Sequence, residues 1–203
     1  MGTTESVVRA GKDRAMRADA RRNYQRLLSA AAAAFAEQGA DTASLEEIAR
    51  RAGVGIGTLY RHFPTRQALL EAVYTDQVEA LRVRAAELLR REPPGEALAD
   101  WLRALVAFGS TKRSLTTALL QTLDKESELL SACGAVLRES TSELLERAQR
   151  AGEARTDVKG TDVLRLAHGV SMASEWAPGD PGQADRMLTL VVDGLLRRSG
   201  RTA

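Results

Sequence analysis

Cysteine is all but missing from this chain: Cys133 stands alone among 203 residues. A single thiol excludes an intramolecular disulfide framework and fits a reducing compartment. Histidine is nearly as scarce, with only His62 and His168, so the residues for a structural zinc set are not there. Aromatic residues make up 4% of the chain, which argues against an aromatic-lined multidrug chamber. No apolar run approaches the roughly 20 residues of a membrane span. The first residues lack the apolar segment of a secretion signal. The expected location is therefore the cytoplasm. Stretches of alternating β-branched residues are almost absent as well, which disfavours sheet.

What remains is a chain rich in Ala, Leu, Arg and Glu, all good helix formers, so the expected fold class is all-α. Hydrophobic residues account for 44% and charged residues for 28%, an ordinary globular balance. The formal net charge of +2 hides an asymmetry. Up to Arg66 there are 11 Lys/Arg against 7 Asp/Glu, leaving 18 basic and 20 acidic residues for the rest. A basic first third is what a domain facing a polyanion would carry.

Breakers and periodicity divide the chain into about nine helices. Residues 1–18 are polar and basic, with Arg9, Lys12, Arg14 and Arg17, and are expected to form a flexible arm. From Asp19 to Gln38, Tyr24, Leu27, Leu28, Ala31, Ala34 and Phe35 fall on one helical face, and Gly39 ends the run. Ser44 to Glu47 has the spacing of a capping box and opens a short helix to Ala52. Gly53 supplies the turn, and a second short helix runs from Ile56 to His62 before Pro64. Thr65 can cap a long helix to about Arg91. After Pro93-Pro94-Gly95, helices are expected at Glu96–Phe108, around Arg113–Leu123, at Lys125–Gly152, from Gly160 to before Pro178, and in a last stretch carrying Met187 to Leu196. The domains implied are a DNA-binding unit over residues 19–64 and a larger helical unit over residues 65–199.

The segment from Ser44 to Arg66 carries the functional signal. Two short helices joined at Gly53 form a helix-turn-helix, with small Ala49 and Ala52 allowing close approach. The outward residues of the second helix, among them Thr58, Tyr60, Arg61 and His62, suit phosphate and base contacts in a major groove. An enzyme centred on Cys133, His168 and Glu175 is the rival from another class, but no nucleophile signature or phosphate-binding glycine loop accompanies them, and no cofactor or metal is expected. A DNA-compacting architectural protein without ligand is a second rival; it would rely on basic charge and DNA deformation, whereas residues beyond Arg66 are net acidic.

The stretch Leu45-Glu-Glu-Ile-Ala-Arg-Arg-Ala-Gly-Val-Gly-Ile-Gly-Thr-Leu-Tyr-Arg-His-Phe-Pro-Thr-Arg-Gln-Ala-Leu70, with Ala33-Ala34-Phe35 and Gly39 before it, resembles the DNA-binding signature of the tetracycline-repressor (TetR) family. The resemblance covers residues 20 to 75. It implies phosphate contacts from Tyr60, His62 and Ser44, and another from Arg66, where the family usually has lysine. It also implies base or backbone contact from Thr58 and a base-edge reach from Arg61. Gly55 departs from the serine often found there, which removes one hydroxyl and leaves glycine as an acceptable N-cap.

For the rest of the chain the resemblance implies a ligand chamber and a homodimer interface. Val163, Leu166, Val170, Leu188, Val191, Val192 and Leu195 would divide between core and interface, with Ala167, Gly169 and Gly194 permitting close approach. Trp101, Leu105, Phe108, Thr117, Gln121, Leu137, His168, Met172 and Trp176 are candidates for the chamber lining. The expected function is a ligand-responsive repressor. It would bind a near-palindromic operator as a dimer and be released by a small-molecule effector whose identity the residues do not reveal.

Overall fold

The computed structural model describes residues 3–122, 127–174, 180 and 182–197, with side chains from residue 17 onward except at 110–114, 116 and 120–122. Eight α-helices occur among the described residues. The chain separates into two compact units, Met1–Tyr74 and Thr75–Ala203. No helix of the described residues is long and apolar enough to cross a membrane.

The first unit contains α1 (Thr3–Gln38), α2 (Leu45–Arg51), α3 (Ile56–His62) and the opening of α4 (Arg66–Leu88). The sequence reading began the first helix at Asp19, but α1 begins at Thr3. The segment 3–18 lacks an apolar stripe yet is built largely of Ala, Arg, Met, Glu and Lys, whose intrinsic preference is helical, and its one breaker, Gly11, costs only about 1 kcal/mol. Continuation of a helix already nucleated downstream is also cheaper than starting one. At the other end Gly39 adopts φ +89, a left-handed conformation that stops α1 and that glycine takes without steric cost.

Leu27, Leu28, Ala31, Ala34 and Phe35 of α1 are buried, as are Ile48, Ala49, Leu59 and Phe63. Leu69, Leu70 and Val73 of α4 are buried too, and the two units divide between Tyr74 and Thr75, within α4. Each full burial of a Leu, Ile or Phe side chain is worth roughly 1.5–3 kcal/mol, which makes this cluster the main force holding the two short helices α2 and α3 in place.

The second unit contains the remainder of α4 with α5 (Pro94–Thr122), α6 (Glu128–Arg150), α7 (Gly160–Ala173) and α8 (Gln183–Leu195). The two helices expected at Glu96–Phe108 and Arg113–Leu123 are one continuous α5; the expected helix boundary at Leu123 and Lys125 lies outside the described residues. The helix starts at Pro94, since proline is tolerated in a first turn where its missing N–H has no partner anyway. Gly109 does not break it. Instead it lets α5 approach α7, because a Cβ there would lie 2.4 Å from Ser171 Oγ. Ser171 in turn donates to the carbonyls of Ala167 and Val106, at 3.0 and 3.2 Å. A similar close approach joins α6 and α7, where a Cβ on Gly160 would lie 2.8 Å from Ser142 Cα.

The end of α8 is tied down by backbone pairing. Ala154 and Leu196 form an isolated antiparallel bridge, and Arg197 N–H donates to Glu153 O at 2.8 Å. The Glu153 carboxylate accepts from Gly95 N–H at 2.6 Å, capping the first turn of α5.

Candidate nucleic-acid interface

The turn between α2 and α3 decides which way α3 points. Gly53 has φ +65, Val54 N–H donates to Ala49 O at 3.0 Å and Gly53 N–H to Arg50 O at 3.1 Å. This pair of bonds is a Schellman motif, which satisfies the last carbonyls of α2 and needs a left-handed residue at its centre. Space is not the reason for glycine here, since a Cβ would meet nothing nearer than Arg26 Nη1 at 3.6 Å.

Ser44 begins α2 with its Oγ accepting from Glu47 N–H at 3.3 Å and donating to Glu46 at 2.8 Å. The reciprocal half of the capping box is not made. The Glu47 carboxylate takes Arg50 at 2.7 Å and Arg51 at 2.8 Å instead, and Arg51 reaches on to Glu37 of α1 at 2.6 Å. Two guanidinium partners offer stronger, charge-assisted bonds than one backbone N–H. Hydrogen bonds from Arg50 and then Arg51 lower the Glu47 carboxyl to about 2. The basic side chains of α2 are thus occupied within the unit.

α3 is different. Leu59 is fully buried and anchors it, whereas Ile56 (38%) and Tyr60 (47%) are exposed. Arg61 and Gly57 are exposed and Thr58 half-buried, and a Cβ at Gly57 would meet nothing within 4 Å. Thr58, Tyr60 and Arg61 make no side-chain hydrogen bond or ion pair among the described residues. The helix therefore presents hydrogen-bonding groups left open by the described residues. Gly55 caps it without a side-chain bond, as its lack of a hydroxyl requires.

His62 is half-buried and held by rings. Tyr24 of α1 meets it edge-on at 5.9 Å, and Phe63 lies 6.2 Å away. Tyr24 also packs on Phe63 at 5.1 Å, so it orients the end of α3. From the sequence Tyr24 had only been placed on the apolar face of the first helix; its part in positioning His62 follows from the fold, and no local signal marks it.

Arg66, expected on a phosphate, is turned inward. Its guanidinium donates to Ala40 O at 2.6 and 3.1 Å and to Ala43 O at 2.7 Å, and lies 6.0 Å from the Phe35 ring centre. It braces the loop between α1 and α2. The planar fork suits two carbonyls better than a lysine would. Thr65 caps α4 as the sequence suggested, accepting from Ala68 N–H at 3.0 Å.

The residues proposed for a ligand chamber are not brought together as a set. Trp101 is fully buried, with its indole N–H donating to Thr141 Oγ1 at 3.0 Å, and Leu105 (5%) and Leu137 (9%) are core. Phe108 is half-buried, while Thr117 and His168 are exposed. Met172 is 41% exposed. Gln121 and Trp176 lie outside the described side chains, and so does Glu175. His168 and Met172 sit on the outward side of α7, because the inward side is taken by Val163, Ala167, Val170 and Ser171.

Residues 27–73 match the family described as bacterial regulatory proteins, tetR family. Residues 93–197 match the C-terminal domain described as SbtR-like transcriptional regulator. A relative in Mycobacterium tuberculosis, the uncharacterized HTH-type transcriptional regulator MT2310, is 30% identical over 149 residues, covering 70% of this chain and 72% of its own. Among solved structures, the TetR transcriptional regulator SCO0520 of Streptomyces coelicolor superposes with a TM-score of 0.74 at 37% identity, covering 86% of this chain and 99% of its own. The TetR transcription regulatory protein of Mycobacterium vanbaalenii gives 0.72 at 37% identity, covering 90% and 99%.

Proposed function

Because the chain belongs to the TetR family of DNA-binding transcriptional regulators, which are not enzymes, we propose that it is a homodimeric repressor whose two α3 helices read a near-palindromic operator. The observation that carries this reading is the contrast across the helix-turn-helix. Arg50, Arg51 and Arg66 are occupied inside the unit, while Thr58, Tyr60 and Arg61 on α3 have no side-chain partner among the described residues. Tyr60, His62 and Ser44 contact phosphates and fix the register; Arg61 reads a base edge, most naturally guanine.

A second copy of the chain fits the outward face of α7 and α8. Leu166 is 51% exposed and Leu190 74%, and a Cβ at Gly169 or Gly194 would meet nothing within 4 Å. Inside the protomer the close-approach glycines are Gly109 and Gly160, so Gly169 and Gly194 are left to admit a partner. A two-fold dimer sets its recognition helices about 34–36 Å apart, one turn of duplex.

Release follows from a small molecule bound within residues 75–203 that favours a dimer with mismatched α3 spacing. α4 contains residues of both units and is the element able to transmit the change. Such coupling is reciprocal and typically about 1–3 kcal/mol. The test is selection from a random duplex pool at two salt concentrations. Recovery of a near-palindrome with a steep salt slope supports the reading; recovery without sequence preference points to a DNA-compacting role and rejects it.

A further inference from the structure

Two helix faces of the second unit meet without filling the space between them. Arg82, Ala85 and Ala86 stand at i, i+3 and i+4 on α4, with Leu89 in the turn just after it, and Val136, Glu139, Ser140 and Glu143 recur at i, i+3, i+4 and i+7 on α6. Together they line a groove of about 230 Å³. The gap has a cause in the side chains. Ala85 and Ala86 stand where longer residues would reach across, and a small serine occupies the matching position of α6.

The polar lining is distinctive. Ser140 is only 6% exposed, lines the groove, and its hydroxyl makes no hydrogen bond among the described residues. Its oxygen is not sealed from solvent, since the fully buried side-chain atoms without a partner among the described residues are Gln77 Oε1 and Gln183 Oε1, so a ligand atom in the groove can replace water on it. Arg82 is already neutralised by Glu79 through bonds of 2.7 and 2.6 Å. Glu139 and Glu143, one helical turn apart, have no ion-pair partner among the described residues. The nearby cation Arg147 is held by the carbonyls of Leu88 and Arg91 and by Glu92, and Arg138 lies back over Gly134.

The lining therefore has a negative rim, the hydroxyl of Ser140 and an apolar floor of Ala85, Leu89 and Val136. A divalent metal is a poor fit, as it asks for more oxygen ligands than two carboxylates and a hydroxyl provide, and no cluster of three or more metal-binding side chains occurs among the described residues. The volume is below the roughly 300–1,000 Å³ of drug-sized sites, which limits the occupant to a small molecule.

We propose that the α4–α6 groove binds a compact organic cation, with an ammonium between Glu139, Glu143 and Ser140 and a short apolar body over the alanines. The proposal rests on residues 75–203 being the effector unit and names the chemical class of that effector.

The test titrates the full-length protein by calorimetry with benzylammonium, and with benzyl alcohol and benzoate as neutral and anionic counterparts. Saturable binding of the amine alone is expected. It should weaken about tenfold in the E139Q/E143Q double variant, as two partly exposed charge contacts imply, and disappear in Ala86→Leu, which fills the groove. Circular dichroism verifies that these surface variants fold. No saturable binding, equal binding of the alcohol or benzoate, or indifference to both variants overturns the assignment. Operator binding by the ligand-free protein is measured in parallel. If the operator is bound and the amine is not, the groove assignment falls and the regulator reading stands; if the amine binds as expected and no operator is selected, the groove stands and the regulator reading falls.

Discussion

Replacing Arg66 with alanine separates two roles that the same residue could play. In the structure its guanidinium serves two backbone carbonyls, those of Ala40 and Ala43. Hydrogen bonds to a charged donor contribute about 1.5 kcal/mol each at the low end, suited to a half-buried site. The contact with Phe35 at 6.0 Å adds about 0.5 kcal/mol at the limit of cation–π range. The sum is a loss of about 3.5 kcal/mol. For a chain of this size each kcal/mol moves the midpoint by roughly 2–4 °C, so Tm should fall by about 7–14 °C. Arg66→Lys should recover about half, because one ammonium lacks the fork that reaches both carbonyls. The assay is thermal unfolding followed by circular dichroism, with DNA affinity measured over a salt series at a temperature where each variant is folded. A phosphate contact would behave oppositely, leaving Tm alone and reducing the salt slope by about one. An Arg66→Ala midpoint within about 1 °C of the parent would refute the bracing role.

Three further outcomes are expected. Arg61→Ala should relax base preference at one position of each half-site in the duplex selection, at a cost of about 1–3 kcal/mol of discrimination, while leaving Tm unchanged. Glu47 has its carboxyl lowered from 4.5 to about 2 by Arg50 and Arg51, so its stabilising contribution is complete above pH 4.5 and is lost as pH falls towards 2. Thermal midpoints of the parent and Glu47→Gln should therefore differ at pH 6 and converge by pH 2. Leu190→Glu places a charge on a side chain that is 74% exposed in the protomer; sedimentation should show dimers giving way to folded monomers.

Short-range signals were the legible ones. Gly39 and Gly53 were expected to end helices, and both have the positive φ that such stops require. Ser44 and Thr65 were expected as caps, and each accepts the N–H three residues on. Misreadings arose where a distant partner decided the outcome. Separate helices are expected at Glu96–Phe108 and around Arg113–Leu123, whereas Gly109 packs against Ser171 within one continuous helix. The resemblance offers His168 and Met172 as chamber candidates, and the register of α7 leaves both exposed in the protomer.

The amino-acid order alone determined the helical class, the helix-turn-helix and the identity of its recognition helix, because capping, turn geometry and helical periodicity act between residues only a few positions apart. The tertiary structure decided which polar groups remain available. Arg66 is drawn to carbonyls 23 and 26 residues earlier, Tyr24 sets the ring of His62, and Ser140 lines a groove opposite Ala85 and Ala86. Those outcomes depend on which faces meet across the fold, and a side chain's spacing along the chain does not carry that information.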